Sequence, residues 1–280
     1  MEIDPPIERQ YVFSDRYPSR TAVYAEIAAA STAARAQPPA WLDQPYGPHP
    51  RECIDLFPGR DGCPLLVFVH GGYWRSQRKD DYAFAAGALR QHGFSVAVIG
   101  YPLAPQCPMP DIVQSLRAAM GWLHGPGSTL LPAWRGTVVA GHSAGGHLAA
   151  MLASDPDWRD RIAGCLALSG LFDLAPLART SIGADVGIDD ALAGRLSPLA
   201  RPAGAGWLLA AVGAEETPAF HDQARRYVAH WSAGEGGADA AQMLVVPGAD
   251  HYSILRQMAG PDGPVMRALL ARTRAAVEAS

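Results

Sequence analysis

Six short apolar runs recur along this chain: PLLVFVH (64–70), FSVAVIG (94–100), TVVAGH (137–142), AGCLALSG (163–170), WLLAAVG (207–213) and AQMLVV (241–246). They are rich in Val, Ile and Leu and are bounded by Gly and Pro. That is the pattern of strands covered on both faces. ECIDLF (52–57) alternates as a further strand. Helical spacing fills the gaps. Lys79 to His92 reads as a helix, and Ile112, Val113, Leu116, Ala119, Met120 and Leu123 recur on one face with Pro110 near the start. Phe220, Ala224, Tyr227, Val228 and Trp231 mark another helix, and Val265, Leu269, Thr273, Ala276 and Val277 a closing one. Strands alternating with helices imply an α/β fold with a mostly parallel sheet and crossover helices on its faces. In such sheets ligands sit at the carboxyl ends of the strands.

Two stretches break the rhythm. Residues 1–50 form an N-terminal extension, with a helix expected from Asp15 to Ala36 and then the Pro-rich connector QPPAWLDQPYGPHP. Residues 171–206 scatter Gly, Pro and acids and read as an insertion of short helices, a lid or a fixed wall of the site. The 280 residues are 49% hydrophobic, enough for one large domain spanning 1–280. The net charge of −4 comes without a basic block, which argues against nucleic acid or an anionic membrane as partner. No run approaches 18 uninterrupted apolar residues, and the acidic N-terminus lacks a signal-peptide core. The four cysteines (Cys53, Cys63, Cys107, Cys165) show no C-x-x-C spacing. A reducing, cytoplasmic setting is the expectation.

Chemistry is expected just after the strands. Gly141-His142-Ser143-Ala144-Gly145 is G-x-S-x-G between a strand and a helix. That sequence makes a sharp turn that lifts one hydroxyl above the sheet, with the helix N-terminus behind it favouring negative charge. The Ala144 N–H would face a substrate oxygen. A serine needs a base. His251 follows the last strand, as the Ser, acid, His order of this motif requires. His142 and His147 flank the serine and suit structural or pocket-lining roles better, and His221 and His230 lie on a helix. The acid should follow WLLAAVG, where Glu215 and Glu216 both stand; Glu216 is favoured and Glu215 is the alternative. No H-E-x-x-H or Cys/His cluster appears, so no metal and no cofactor are expected.

Taken together, HGGYW, GYPLAP, GHSAGGHLA, SGLFDL and PGADHYSI resemble the α/β-hydrolase fold, within it the hormone-sensitive-lipase-like branch, and most of all the kynurenine formamidases. The resemblance runs from about Arg51 to the end. It implies a metal-independent serine hydrolase that acts on a small molecule, an N-formyl arylamine such as N-formylkynurenine, as monomer or homodimer. A carboxylesterase for short-chain or aryl esters is the alternative. It places the acid on Glu216, where the family carries Asp, and notes Gly183 where relatives often carry Asn. It also makes the Gly71-Gly72-Tyr73 turn an oxyanion hole together with Ala144, Gly72 and Tyr73 standing where relatives have the donating glycines. Tyr73, Trp74, Phe172 and Tyr252 are the candidate substrate contacts, with packing of the loop or the core as the alternative role.

Overall fold

The computed structural model describes residues 3–13 and 16–278. Its sheet has eight strands: β1 (Trp41–Pro45), β2 (Cys53–Phe57), β3 (Leu65–Val69), β4 (Ser95–Ile99), β5 (Thr137–His142), β6 (Ile162–Leu168), β7 (Trp207–Gly213) and β8 (Ala241–Val246). Their order is β1-β2-β4-β3-β5-β6-β7-β8. The first two pairings are antiparallel and all later ones parallel. Every residue of β3, β4, β5 and β7 is buried, as strands covered on both faces require.

The cover comes from α1 (Pro5–Tyr11), α2 (Ser19–Arg35), α3 (Phe84–Gln91), α4 (Met109–Leu123), α5 (Ala144–Ala153), α6 (Ser181–Val186), α7 (Asp190–Leu196), α8 (Pro218–Ser232) and α9 (Pro264–Glu278). Helix α5 is buried along its whole length, lying against β5 and β6. On α8 the buried face takes in Gln223 while Val228 is only half-buried. The Gln223 amide accepts from the N–H groups of Phe172 and Asp173 (2.8 Å each) and donates to the Asp173 carbonyl and the Tyr11 hydroxyl. A buried amide with every such bond made holds a core together instead of weakening it.

The N-terminal region differs from its sequence reading. Helix α2 starts at Ser19, with Pro18 as its N-cap, and not at Asp15, which lies outside the described residues. Pro18 has no N–H, and it disfavours helical backbone at Tyr17. Helix α1 was not anticipated, although its signal is local. The Asp4 carboxylate accepts from Ile7 N–H (3.2 Å) and Pro5 opens the first turn. Within the expected connector, β1 pairs antiparallel with β2 and ends on Pro45, a residue tolerated at a sheet edge. The far end of α2 is pinned by charge. Fully buried Asp55 accepts from Lys79 Nζ (2.7 Å), from Asp43 N–H (2.9 Å) and from Arg35.

The 171–206 stretch is a chain of short helices. Thr180 and Asp189 cap α6 and α7 through side-chain oxygens. Gly183 is required: a Cβ there would lie 2.0 Å from the Leu177 carbonyl. The stretch is tied to α1, because Glu8 accepts from both the N–H and the hydroxyl of Ser181 (2.8 and 2.5 Å).

Candidate active site

Strand β5 and helix α5 meet at Ser143, whose backbone is left-handed (φ 54°, ψ −118°). A non-glycine residue in that region stores on the order of 1–3 kcal/mol of strain and persists only where neighbours enforce it. Here the Ser143 N–H donates to the Leu168 carbonyl at the end of β6 (2.8 Å). Gly145 lets the turn close onto the sheet, since a Cβ there would lie 2.1 Å from the Val69 carbonyl.

The Ser143 hydroxyl donates to His251 Nε2 (3.1 Å), and His251 Nδ1–H donates to Glu216 Oε2 (2.8 Å). Glu216 is held by its other oxygen, Oε1, which accepts from Ser169 Oγ–H (2.6 Å) and Gly213 N–H (2.7 Å). This polarity fixes the tautomer. A carboxylate accepts from Nδ1–H, so Nε2 is bare and faces the serine. Glu215 is exposed and outside the chain of hydrogen bonds. The structure thus brings together Ser143, His251 and Glu216, and leaves Glu215 and the other histidines out.

Residues that the sequence reading passed over position these three. Asp250 folds the histidine loop: its Oδ1 accepts from the N–H groups of Tyr252 and Ser253 (2.9 and 2.8 Å), and its Oδ2 accepts from Ser19 Oγ–H on α2 (2.6 Å). The His251 ring packs on both Phe13 and Phe220, 4.8 and 4.7 Å between ring centres. Ser169, the brace of Glu216, directly follows β6 in the run ALSG. A serine at a strand end beside the acid's strand was the available signal.

The HGG turn packs against the serine. A Cβ on Gly71 would lie 2.9 Å from the His142 carbonyl and 3.4 Å from the Ser143 Cβ. Gly72 (φ 105°) could carry no side chain, because a Cβ would lie 2.3 Å from the Ser76 carbonyl. Tyr73 and Trp74 follow with φ 49° and 56°. Among the described residues the N–H groups of Gly72, Tyr73 and Ala144 donate to no protein acceptor. For Ala144 this follows from its place as the first residue of α5. His70 braces the turn, donating from Nδ1 to the Gly71 carbonyl (2.8 Å) and stacking on Tyr101 at 4.2 Å.

A cleft of about 100 Å³ opens onto Ser143 and His251. Gly72, Tyr73, His142, Tyr252, Arg20, Tyr24 and Arg75 are among the residues that line it. Tyr73 and Tyr252 are therefore where substrate contact was expected; Trp74 and Phe172 are not. Trp74 is fully buried and donates its indole N–H to His147 Nδ1 (3.2 Å), because the left-handed backbone at 73–74 turns it beneath the loop. Phe172 is fully buried and stacked on Tyr227 at 4.1 Å, in the core under α8. A larger depression of about 770 Å³, lined by residues such as Asp4 and Asp189, lies between α1 and α7 and contains none of Ser143, His251 or Glu216. Among the described residues no three His, Cys, Asp or Glu side chains converge, and no helix is long and apolar enough to cross a membrane.

Three further histidines surround the site as neutral groups. Burial pushes His70 and His142 down to about 3 and His147 to about 4, the proximity of His251 adding to the effect at His142. In the unfolded chain each takes up a proton near its ordinary value of 6.5. Their contribution to stability is thus complete above about pH 6.5 and is lost as the pH falls toward 4. Each can remove up to about 1.4 kcal/mol per pH unit within that window. The melting temperature should fall continuously from pH 6.5 to 4.5, and a flat profile would contradict this account.

The BD-FAE family matches residues 58–162. Kynurenine formamidase of Danio rerio is 30% identical over 231 residues, 78% of this chain and 76% of the relative. That of Salmo salar is 29% identical over 243 residues, covering 82% and 80%. Among solved structures, a Silicibacter sp. TM1040 protein described as a candidate thioesterase superposes with a TM-score of 0.82 at 28% identity, covering 94% of this chain and 98% of that one. Esterase B of Lactobacillus rhamnosis shares the fold at a TM-score of 0.70 and 18% identity, covering 92% and 94%. At the identity and coverage of the Danio rerio relative, and with this sheet, the chain belongs to the kynurenine formamidase family of α/β-hydrolases.

Proposed function

We propose that the protein is a serine hydrolase that cleaves N-formyl arylamines such as N-formylkynurenine to formate and the free amine. The Ser143–His251–Glu216 hydrogen-bonded chain supports the reaction type. Ser143 Oγ attacks the formyl carbon as His251 Nε2 takes its proton. The carbonyl oxygen becomes an oxyanion received by the N–H groups of Gly72, Tyr73 and Ala144. Donors of this kind are worth about 3–4 kcal/mol each when removed singly. His251 then protonates the departing arylamine nitrogen, leaving a formyl ester on Ser143. Water, deprotonated by His251, attacks that ester; formate leaves and Ser143 regains its proton. Glu216 stabilises the imidazolium in both halves.

The single observation favouring a formamide is the length of the match to the formamidases of two fishes. The rival reading, a carboxylesterase, draws on a shorter match: carboxylic ester hydrolase LipN of Mycobacterium tuberculosis is 40% identical, over 96 residues. The two share every catalytic part, so only substrate preference separates them. Comparison of kcat/KM for N-formylkynurenine with that for p-nitrophenyl acetate and butyrate should favour the formamide. Ester preference by several decades would replace the formamidase reading with the esterase one.

A further inference from the structure

The cleft has an uneven charge. Its lining contains two arginines, Arg20 and Arg75, and no aspartate or glutamate. Glu216, the nearest carboxylate in the hydrogen-bonded chain, is consumed by His251, Ser169 and Gly213. Arg75 is already paired with Asp185 of α6. Arg20 makes no ion pair among the described residues. Its guanidinium instead lies over two aromatic rings, 5.9 Å from the centre of Tyr24 and 5.6 Å from that of Tyr252. Such stacking orients a guanidinium through its face and leaves the N–H edge free.

The position of Arg20 is set by the same contacts that set the base. The adjacent Ser19 is hydrogen-bonded to Asp250, and Asp250 precedes His251. Tyr252, on which Arg20 stacks, follows His251. Arg20 therefore shares a rigid frame with the imidazole. A planar, permanently charged fork held this way is suited to a carboxylate, which it can bind through two parallel hydrogen bonds.

We infer that Arg20 is a specificity-determining residue that binds a carboxylate on the leaving-group side of the substrate. This deepens the proposed function and rests on it for the identity of that substrate, since N-formylkynurenine carries an α-carboxylate remote from its formyl group. Arg20 thereby discriminates an amino-acid formamide from an uncharged one.

The test compares N-formylkynurenine with its carboxamide, in which only the carboxylate is neutralised. A second pair does the same with esters that carry the tested group on the leaving phenol: 3-(4-acetoxyphenyl)propanoate against 3-(4-acetoxyphenyl)propanamide. The wild-type protein should prefer the anion in whichever pair it turns over. In Arg20→Ala the anion-to-neutral ratio of kcat/KM should fall by about ten- to a hundredfold, mainly through KM, as expected on removing one charged hydrogen-bonding partner. Arg20→Lys, which keeps the charge but not the fork, should fall between the two and guards against misfolding of the alanine variant. Equal losses on both members of a pair, or a ratio within twofold of wild type, would assign Arg20 to packing and overturn the inference. Absence of formamide turnover in the wild type would sink the proposed function alone, since the ester pair still decides the role of Arg20.

Discussion

Ser143→Ala is expected to lower kcat on the best substrate by about 10⁴- to 10⁶-fold, the range that loss of a serine nucleophile produces in comparable sites. The fold should survive. Alanine carries the same Cβ as serine, so the left-handed backbone at this position is no more strained. The N–H bond to the Leu168 carbonyl is untouched. What disappears is one buried hydrogen bond to His251, so the melting temperature should move by no more than about 2–4 °C. An active-site phosphonylating reagent gives an independent readout: it should add one mass increment on the Ser143 peptide of the wild type and none in the variant. Activity within tenfold of wild type would remove Ser143 from the mechanism.

The second large effect is expected from Glu216→Gln, about 10³- to 10⁴-fold in kcat. Two fixed donors, Ser169 Oγ–H and Gly213 N–H, both point at Oε1. A glutamine must keep its carbonyl oxygen there to satisfy them, which turns its NH₂ toward His251 Nδ1. A donor facing Nδ1 requires that nitrogen to be bare and moves the ring proton to Nε2. The imidazole then meets the Ser143 hydroxyl with a proton and cannot accept one. The defect is thus one of tautomer, with the geometry nearly unchanged. Glu215→Gln, on an exposed side chain, should stay within about twofold. If Glu215→Gln is instead the damaging change, the acid has been misassigned.

Much of this arrangement could be read before any coordinates. The central strands announce themselves because strands covered on both faces are short and apolar throughout. The serine turn, the histidine loop and the choice between two glutamates follow from where those strands end. What was missed lies in two kinds of place. Helix α1 and strand β1 are short, and only capping or pairing defines them. The aromatics after HGG show the other limit: Tyr73 and Trp74 are adjacent in sequence, yet left-handed backbone sends one to the cleft and the other into the core. Phe13, Arg20 and Tyr24 were invisible as site residues because their partners lie over 200 positions away, as in the pairing of Ser19 with Asp250. No local pattern encodes a contact of that span.

That pairing has a consequence for the order in which the protein comes into being. Synthesis proceeds from the amino terminus, so α2 emerges long before Asp250. Until the final loop leaves the ribosome, α2 has no Asp250 to bind, and Ser143 has neither its base nor the wall that carries Arg20. Between the synthesis of Ser143 and that of His251 the nascent chain therefore carries a serine turn that is chemically inert. Hydrolytic activity reports that synthesis has passed His251, and products that stop short of it are silent by construction.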